Sequence, residues 1–497
     1  MSARSRRTSA GAARVVLGLV VLAATLVASG CSVFTSYVGE TEDARRQFES
    51  LAPEAAVRAL EGGTGSSLDR LCYLLERGLI LHASGDLPGS NRELFAATDE
   101  IKRMEDKAII SASDTASQAG SLLVNEKTIA YQGEPFEHVL LHAYLAMNFM
   151  FSNDLTGARV EIRKLQGIQK EIRERAKEEA ADARDTSKGN ESTAYAVERS
   201  LGQAYADQDS VAARVQNLYD DALSYALSAL VYEMNGEPND AFIDLKRAIE
   251  LRPEIADLKG DAYRAALRSG LRDEAQALRE AAPSVATDPG KDQPELVVLF
   301  ESGDAPLKRE ISLPIPTGTG LTSIALPKYQ LRPNPYTRAT VRDGSGTLLG
   351  ATALYTDVEG IAVRTLRDRM AVLALKQAIR AVGKAVVAKQ VADASGHRGS
   401  TERGVAIILM SLYNVLTEQA DLRSWTTLPA SLQWVRIPMA PGEHQLSLRL
   451  EGSGGAALAE RSVTVSLAKG ERKFVNVRTT GPAVYLNVYP KPAEPTR

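Results

Sequence analysis

Between residues 41 and 283 the chain is punctuated at a fixed interval. Gly236 and Gly270 lie 34 residues apart, and Gly85 and Asn153 lie 68 apart, twice that distance. On either side of each break, apolar residues recur three and four apart, which places them on one face of a helix. The spacing predicts helix pairs over Leu68–His82 and Leu87–Met104, Pro135–Ser152 and Asp154–Gln169, Leu218–Met234 and Pro238–Leu251, and Glu254–Arg268 and Leu271–Ala281. One such pair cannot bury its apolar face alone, so neighbours must stack.

Residues at fixed places within the pairs say how they stack. In the third pair Tyr225 and Tyr232 hold the aromatic positions of the first helix. Ala229 is the small residue where the two helices cross, Ala241, Leu245 and Ala248 line the second helix, and Pro253 closes the unit. Ser228 departs from the leucine expected beside Ala229. The same places fall on His142, Leu145, Ala146, Phe149, Ala158 and Ile162 in the second pair, and on Leu74, Gly78, Leu81, Ser90, Leu94 and Ala97 in the first. Period and residues together resemble tetratricopeptide repeats, whose unit is 34 residues long. In the last pair Ala275 fits but Tyr263 stands where a small residue belongs, so half a repeat or a cap is expected. Two inserts break the period. Ile109–Tyr131 is expected to be helical. Lys170–Gln216 begins with a charged stretch that prolongs the preceding helix and loosens at Asp185–Asn190.

After a polar linker, 284–294, the period changes to two. Leu296–Phe300, Ile311–Ile315, Leu321–Leu326, Thr337–Val341, Leu432–Ile437, His444–Leu450, Ser462–Leu467, Phe474–Arg478 and Val484–Val488 read as strands, with Asp343-Gly344 as a hairpin turn. Helices are expected near 366–394 and 402–418. The first carries an alanine seam, Ala371, Ala374, Ala378, Ala381, Ala385 and Ala388; the second is almost wholly apolar over Gly404–Leu416. That stretch gives about 20 Å of helix, short of a ~30 Å hydrocarbon core. Three uses stay open for the two helices: packing on each other and the sheet, self-association through the seam, or membrane insertion. The expected fold is therefore multidomain. An all-α, TPR-like solenoid of helical pairs over 41–283 is followed by an α+β domain over 295–497, with an antiparallel β-sandwich and two helices.

The start of the chain is an address. Arg4, Arg6, Arg7 and Arg14 precede an uncharged run, Val15–Val27, and then Ala28-Ser29-Gly30 stands before Cys31. Small residues before a cysteine resemble the lipobox of bacterial lipoproteins. That resemblance implies a signal peptide over 1–30, cleavage before Cys31, lipidation of Cys31 (palmitate among the acyl groups) and a tether over 31–40. Ser32 is not the aspartate that retains some lipoproteins at the inner membrane, which favours the outer membrane of a Gram-negative bacterium, facing the periplasm. Removing the four arginines takes the formal charge from −3 to about −7, the wrong sign for gripping nucleic acid. Of the two cysteines, Cys72 would be left alone among Leu71, Tyr73, Leu74 and Leu75 as a core thiol.

Catalytic motifs are scarce. His138 and His142 lie four apart on one helix, as zinc ligands do, but Val139 stands where the metalloprotease glutamate belongs and Glu137 precedes the first histidine. No nucleophile elbow, phosphate loop or Cys-x-x-Cys is present. Arg423-Ser424-Trp425 and Trp434 read as a packing cluster or a recognition surface. The lipobox, the stretch from Gly133-Glu134 through His142-Ala143-Tyr144-Leu145-Ala146-Met147-Asn148, and Ala420–Pro429 make the whole plan resemble a family of bacterial lipoproteins with TPR-like repeats and a β-rich C-terminal part. The family has no settled activity, so the resemblance implies no catalytic residue and no cofactor; it hints at envelope or peptidoglycan assembly. The expected function is a non-enzymatic, lipid-anchored scaffold whose concave surface takes a protein or peptide partner. The alternatives are a self-assembling structural component, a homo-oligomer through the alanine seam, and a metal-dependent envelope enzyme using His138 and His142.

Overall fold

The computed structural model describes residues 36–112, 129–187, 191–215, 221–290, 292–317, 320–370, 374 and 420–491. The signal segment, Cys31, the alanine seam apart from Ala374 and the apolar helix at 402–418 lie outside the described residues.

Two short helices, α1 (Glu42–Glu49) and α2 (Pro53–Ala59), lead into the pairs. The first pair is α3 (Arg70–Ser84) and α4 (Leu87–Ala112), the second α5 (Pro135–Phe151) and α6 (Leu155–Ser187). A helix, α7 (Glu191–Ala204), and a short helical turn over 206–212 are inserted before the third pair, α8 (Ala222–Met234) and α9 (Pro238–Leu251). The fourth is α10 (Ala256–Ser269) and α11 (Arg272–Ala281). The residues that set the period are the ones that end the first helices. Gly85, Asn153, Gly236 and Gly270 all have positive φ, between 60° and 85°, the left-handed conformation that closes a helix and that glycine and asparagine adopt most readily. The charged stretch after Gln169 does prolong α6, as expected.

Each pair packs within itself and on the next. At the crossings Ala146, Ala158, Ala229, Ala241 and Ala248 are fully buried, with Ile162, Leu94 and Ala97 beside them. The fourth pair is two complete helices and not half a repeat. Tyr263 is buried, and the fully buried Ala262 and Ala266 allow the close approach. In the first pair a Cβ on Gly78 would overlap the buried Leu94 side chain. Gly78→Val is therefore expected to lower stability by about 1–3 kcal/mol, read as an earlier urea midpoint, whereas a crossing with room to spare would leave the midpoint unmoved.

The strands form a five-stranded sheet, a four-stranded sheet and a hairpin. Strands β1 (Glu295–Ser302), β2 (Leu307–Thr317), β3 (Gly320–Gln330), β4 (Arg338–Asp343), β5 (Leu348–Ala351) and β6 (Ala353–Asp357) precede the segment outside the description. Strands β7 (Ser431–Pro438), β8 (Gly442–Glu451), β9 (Ala457–Leu467), β10 (Arg472–Thr480) and β11 (Ala483–Tyr489) follow it. The five-stranded order is β11-β10-β1-β7-β6 and the four-stranded order β5-β4-β8-β9. Strands β1 and β10 run parallel, Glu295 opposite Arg472, so the larger sheet is mixed and not antiparallel throughout. A parallel neighbour needs a long crossover, and here the chain from Ser302 to Arg472 supplies it.

Alternation along β1 explains the layering. Leu296, Val298 and Phe300 join Val341, Leu448 and Val465 in the core between the two sheets. Val297 and Leu299 point the other way, into the core of the helices with Phe474, Trp434 and Tyr489. The five-stranded sheet is thus buried on both faces, between helices and the smaller sheet. The 284–294 boundary divides helices from strands along the chain, while in space the two share one core. A helix expected near 366–394 begins earlier, at 358, and its described part, α12 (358–370), packs inward through Val358, Ile361, Ala362, Leu366 and Met370.

Candidate functional site

The most polar part of the interior is the seam where the first helices of the pairs meet the strand-rich half. Helix α3 supplies Glu76 and His82, α5 supplies Glu137, Tyr144 and Asn148, α8 supplies Glu233, and α10 supplies Asp261 and Arg264. All are buried. Buried charge is costly unless paired, and every one of these groups has a fixed partner.

Toward the N-terminal end the partner is the segment leading into β7. Glu76 accepts the Thr426 N–H at 2.7 Å, the Thr427 N–H at 2.8 Å, the Thr426 hydroxyl at 2.7 Å and, more tightly still, the Thr427 hydroxyl. Tyr37 adds its own hydroxyl at 3.2 Å. Glu137 takes the Trp425 N–H at 2.8 Å and the Tyr131 hydroxyl at 2.7 Å, and its second oxygen also reaches back to the Glu134 N–H at 3.0 Å, closing the start of α5. Burial, reinforced by the charge of Glu134, pushes the Glu137 carboxyl up to about 7. Glu134 is paired in turn with Lys308 at 2.7 Å and Arg369 at 2.9 Å.

Mid-seam, His82 places Nδ1 2.6 Å from Asn148 Oδ1 and Nε2 3.0 Å from Glu301 Oε1. Asn148 gives its own N–H groups to Ser90 and Asn91, so its oxygen is the acceptor of the His82 Nδ1–H, while Nε2 also lies 3.1 Å from the Asn476 amide nitrogen. Tyr144 donates to the other Glu301 oxygen at 3.0 Å. Burial alone would raise the Glu301 carboxyl, yet His82 beside it holds it below its ordinary value.

At the C-terminal end the seam is a cluster of arginines and acids. Arg436 of β7 reaches Glu233 and Glu295 at 2.9 Å and Asp261 at 3.3 Å. Arg472 of β10 reaches Glu233 at 2.9 Å and Glu295 at 3.0 Å. Arg264 binds Asp261 on its own helix. Against burial, Arg436 and Arg472 hold the Glu295 carboxyl down at about 2. Asp261 goes the other way: burial outweighs Arg436 and Arg264 and raises it to about 6. This end opens onto a cavity of about 430 Å³.

The chain can now be set beside known proteins. No family model matches it and no curated protein matches it. Among solved structures, two crystal structures of MamA are similar, each 14% identical with a TM-score of 0.26; they cover 49% and 50% of this chain and 94% and 96% of their own. The TPR2AB-domain:pHSP90 complex of yeast Sti1 is 15% identical over 49% of this chain and 88% of its own, with a TM-score of 0.18. Superposition at those scores is loose, and the description of the helical pairs rests on their own packing.

Residues singled out in the sequence have these places. His138 and His142 share a face of α5 but serve different partners: His138 Nε2 meets the Gln132 carbonyl at 2.7 Å and His142 Nδ1 meets Glu161 at 2.6 Å. Burial lowers His138 below the ordinary histidine value. Among the described residues no group of three His, Cys, Asp or Glu side chains is placed to hold a metal ion. Cys72 is fully buried and its thiol is pushed up by that burial. Trp425 and Trp434 are buried against Tyr144 and Tyr355, so they are packing residues and not a surface. Arg423 pairs with Asp421 at 2.8 Å and Asp69 at 3.1 Å. Glu76, Glu233, Glu301 and Arg436 were not anticipated. Their signal was present as charge inside otherwise apolar runs, Leu75-Glu76 in one helix and Val435-Arg436-Ile437 in one strand.

Proposed function

We propose that the protein is a non-enzymatic, lipid-anchored scaffold of the cell envelope, held at the periplasmic face of the outer membrane through Cys31 and contacting a protein partner with the outer side of its helical pairs. One observation carries the choice of surface. The first helices, on which a concave groove would rely, are covered by the protein's own sheet and by Trp425–Thr427. A peptide in that groove would have to displace the core. The second helices carry the exposed apolar residues Val160 on α6 and Ile243 on α9, about half exposed. A binding role over a catalytic one is supported by the way Glu76, Glu137, Glu233, Glu295 and Glu301 are all committed to fixed donors within the seam. Two signals, an acyl chain and a second, are needed for stable anchoring, and multiple acylation at Cys31 supplies them.

The test has two arms. Cells fed an alkyne-labelled palmitate should label the wild-type protein, and Cys31→Ser should lose the label and leave the membrane fraction. A photo-crosslinking amino acid at Val160 or Ile243 should give a discrete adduct with another envelope protein, while the same group at Leu458, exposed on the smaller sheet, should not. An unlabelled wild type would overturn the anchor. Adducts from Leu458 alone would overturn the assignment of surface.

A further inference from the structure

The arginine cluster at the C-terminal end of the seam does more than hold sheet to helices. We propose that the cavity there is a binding site for the carboxylate or phosphate group of a small soluble anion, with Arg268 and Arg472 as its donors.

The site is built from three directions. Arg264 and Arg268 come from α10, one helical turn apart, and Arg472 from the start of β10, all lining the cavity together with Arg436. Four guanidinium groups line the cavity against two carboxylates, Glu233 and Glu295, while Asp261 and Asp257 face Arg264. Arg436 is consumed by those acids and is only 4% exposed. Arg268 is not consumed. It is 23% exposed and reaches Glu233 only at 3.8 Å, beyond hydrogen-bond distance. Arg472 is 21% exposed and shares its two acids with Arg436. A guanidinium has five donors in a planar fork matched to oxyanions, and these two have donors to spare toward the cavity. The rim is also unobstructed: a Cβ on Gly236 or Gly290 would meet nothing within 4 Å. The volume, about 430 Å³, suits a small metabolite and not a folded partner.

Asp261 tunes the site. It is faced by Arg264, Arg436, Glu233, Glu295 and the phenol of Tyr355. With a carboxyl raised to about 6, it is neutral in mildly acidic solution and charged above. Protonation removes one competing carboxylate, so anion affinity rises as pH falls through that value.

Calorimetry on the full chain in detergent, at low salt, with citrate and inorganic phosphate as separate probes, tests this. Binding of at least one probe is expected; because both probes themselves lose charge between pH 7.5 and pH 5.5, the pH effect is read as the ratio of wild-type to Asp261→Asn affinity, which should rise as pH falls, and the tighter probe assigns the anion class. Arg268→Gln should weaken binding about tenfold, one good charge-assisted contact, Arg268→Lys less so, and Arg461→Gln, exposed on β9, should leave it unchanged. Asp261→Asn should raise affinity at pH 7.5, and its advantage over the wild type should shrink as pH falls to 5.5, a gain that a purely structural role would not produce. No binding of either probe at ~10 mM, full affinity in Arg268→Gln, or an equal loss in Arg461→Gln would each overturn the proposal.

Discussion

Glu76→Ala should be the most damaging single substitution in the seam, lowering stability by about 4–6 kcal/mol. One buried carboxylate accepts two main-chain N–H groups and two threonine hydroxyls from Thr426 and Thr427, and the hydroxyl of Tyr37. The hydroxyls can rotate toward other acceptors, but the two N–H groups cannot, and an orphaned buried donor costs about 1–3 kcal/mol. The methyl that replaces the carboxylate also leaves a void beside Trp425, which is 1% exposed. Glu76→Gln keeps one carbonyl oxygen and turns an NH₂ toward donors, so it should fall between wild type and alanine. Urea denaturation followed by tryptophan fluorescence reads all three. An alanine midpoint equal to the wild-type one would mean that the segment before β7 is not held by this carboxylate.

Arg436→Met is expected to cost about 3–5 kcal/mol, the usual penalty for removing one member of a buried ion cluster. Methionine roughly fills the space, so the loss is electrostatic: Glu233, Glu295 and Asp261 are left with Arg472, Arg264 and the distant Arg268. The acid limb gives a sharper signature. Glu295 is held at about 2 in the folded protein, below its unfolded value, so its stabilisation is complete above the ordinary carboxylate pKa and is lost as pH falls toward 2. Asp261, raised to about 6, has the opposite sign: its contribution falls as pH rises from about 4 to 6, and below pH 4 it is already protonated in the folded state. Between pH 4 and 2 the wild type should therefore lose stability more steeply than Arg436→Met. Parallel acid limbs would show that Arg436 does not set the charge of Glu295.

The helical half was largely legible because its period and its punctuation have one cause. The residues at 85, 153, 236 and 270 interrupt the apolar pattern because they close helices in a conformation few residues tolerate. Strand positions were legible too, apart from β5 and β6, whose four and five residues are too short to show an alternation. The layering was not. Period two predicts one dry and one wet face, and Asn476 and Arg478 on β10 read as the wet one. Both are fully buried, Arg478 against Asp304 and the Thr427 carbonyl. Nothing local in Phe474-Val475-Asn476-Val477-Arg478 says that its polar face meets helices some 400 residues upstream. The i, i+4 spacing of His138 and His142 fixes a shared face and not a shared partner. The parallel pairing of β1 with β10 was likewise hidden, since strand direction depends on the whole crossover between them.

That pairing fixes the order in which the molecule can be completed. The centre of the larger sheet needs β10, so a nascent chain must emerge to residue 480 before β1 gains its parallel neighbour, long after β7 can take the other edge. Until then the inner faces of α3, α5 and α8 wait with their carboxylates in water. Long-range closure of this kind slows folding and prolongs exposure of unpaired edges. The helices, made first, cannot mature on their own schedule, and a chain stalled or cut short of its final strands is a client for chaperones and proteases rather than a smaller working part.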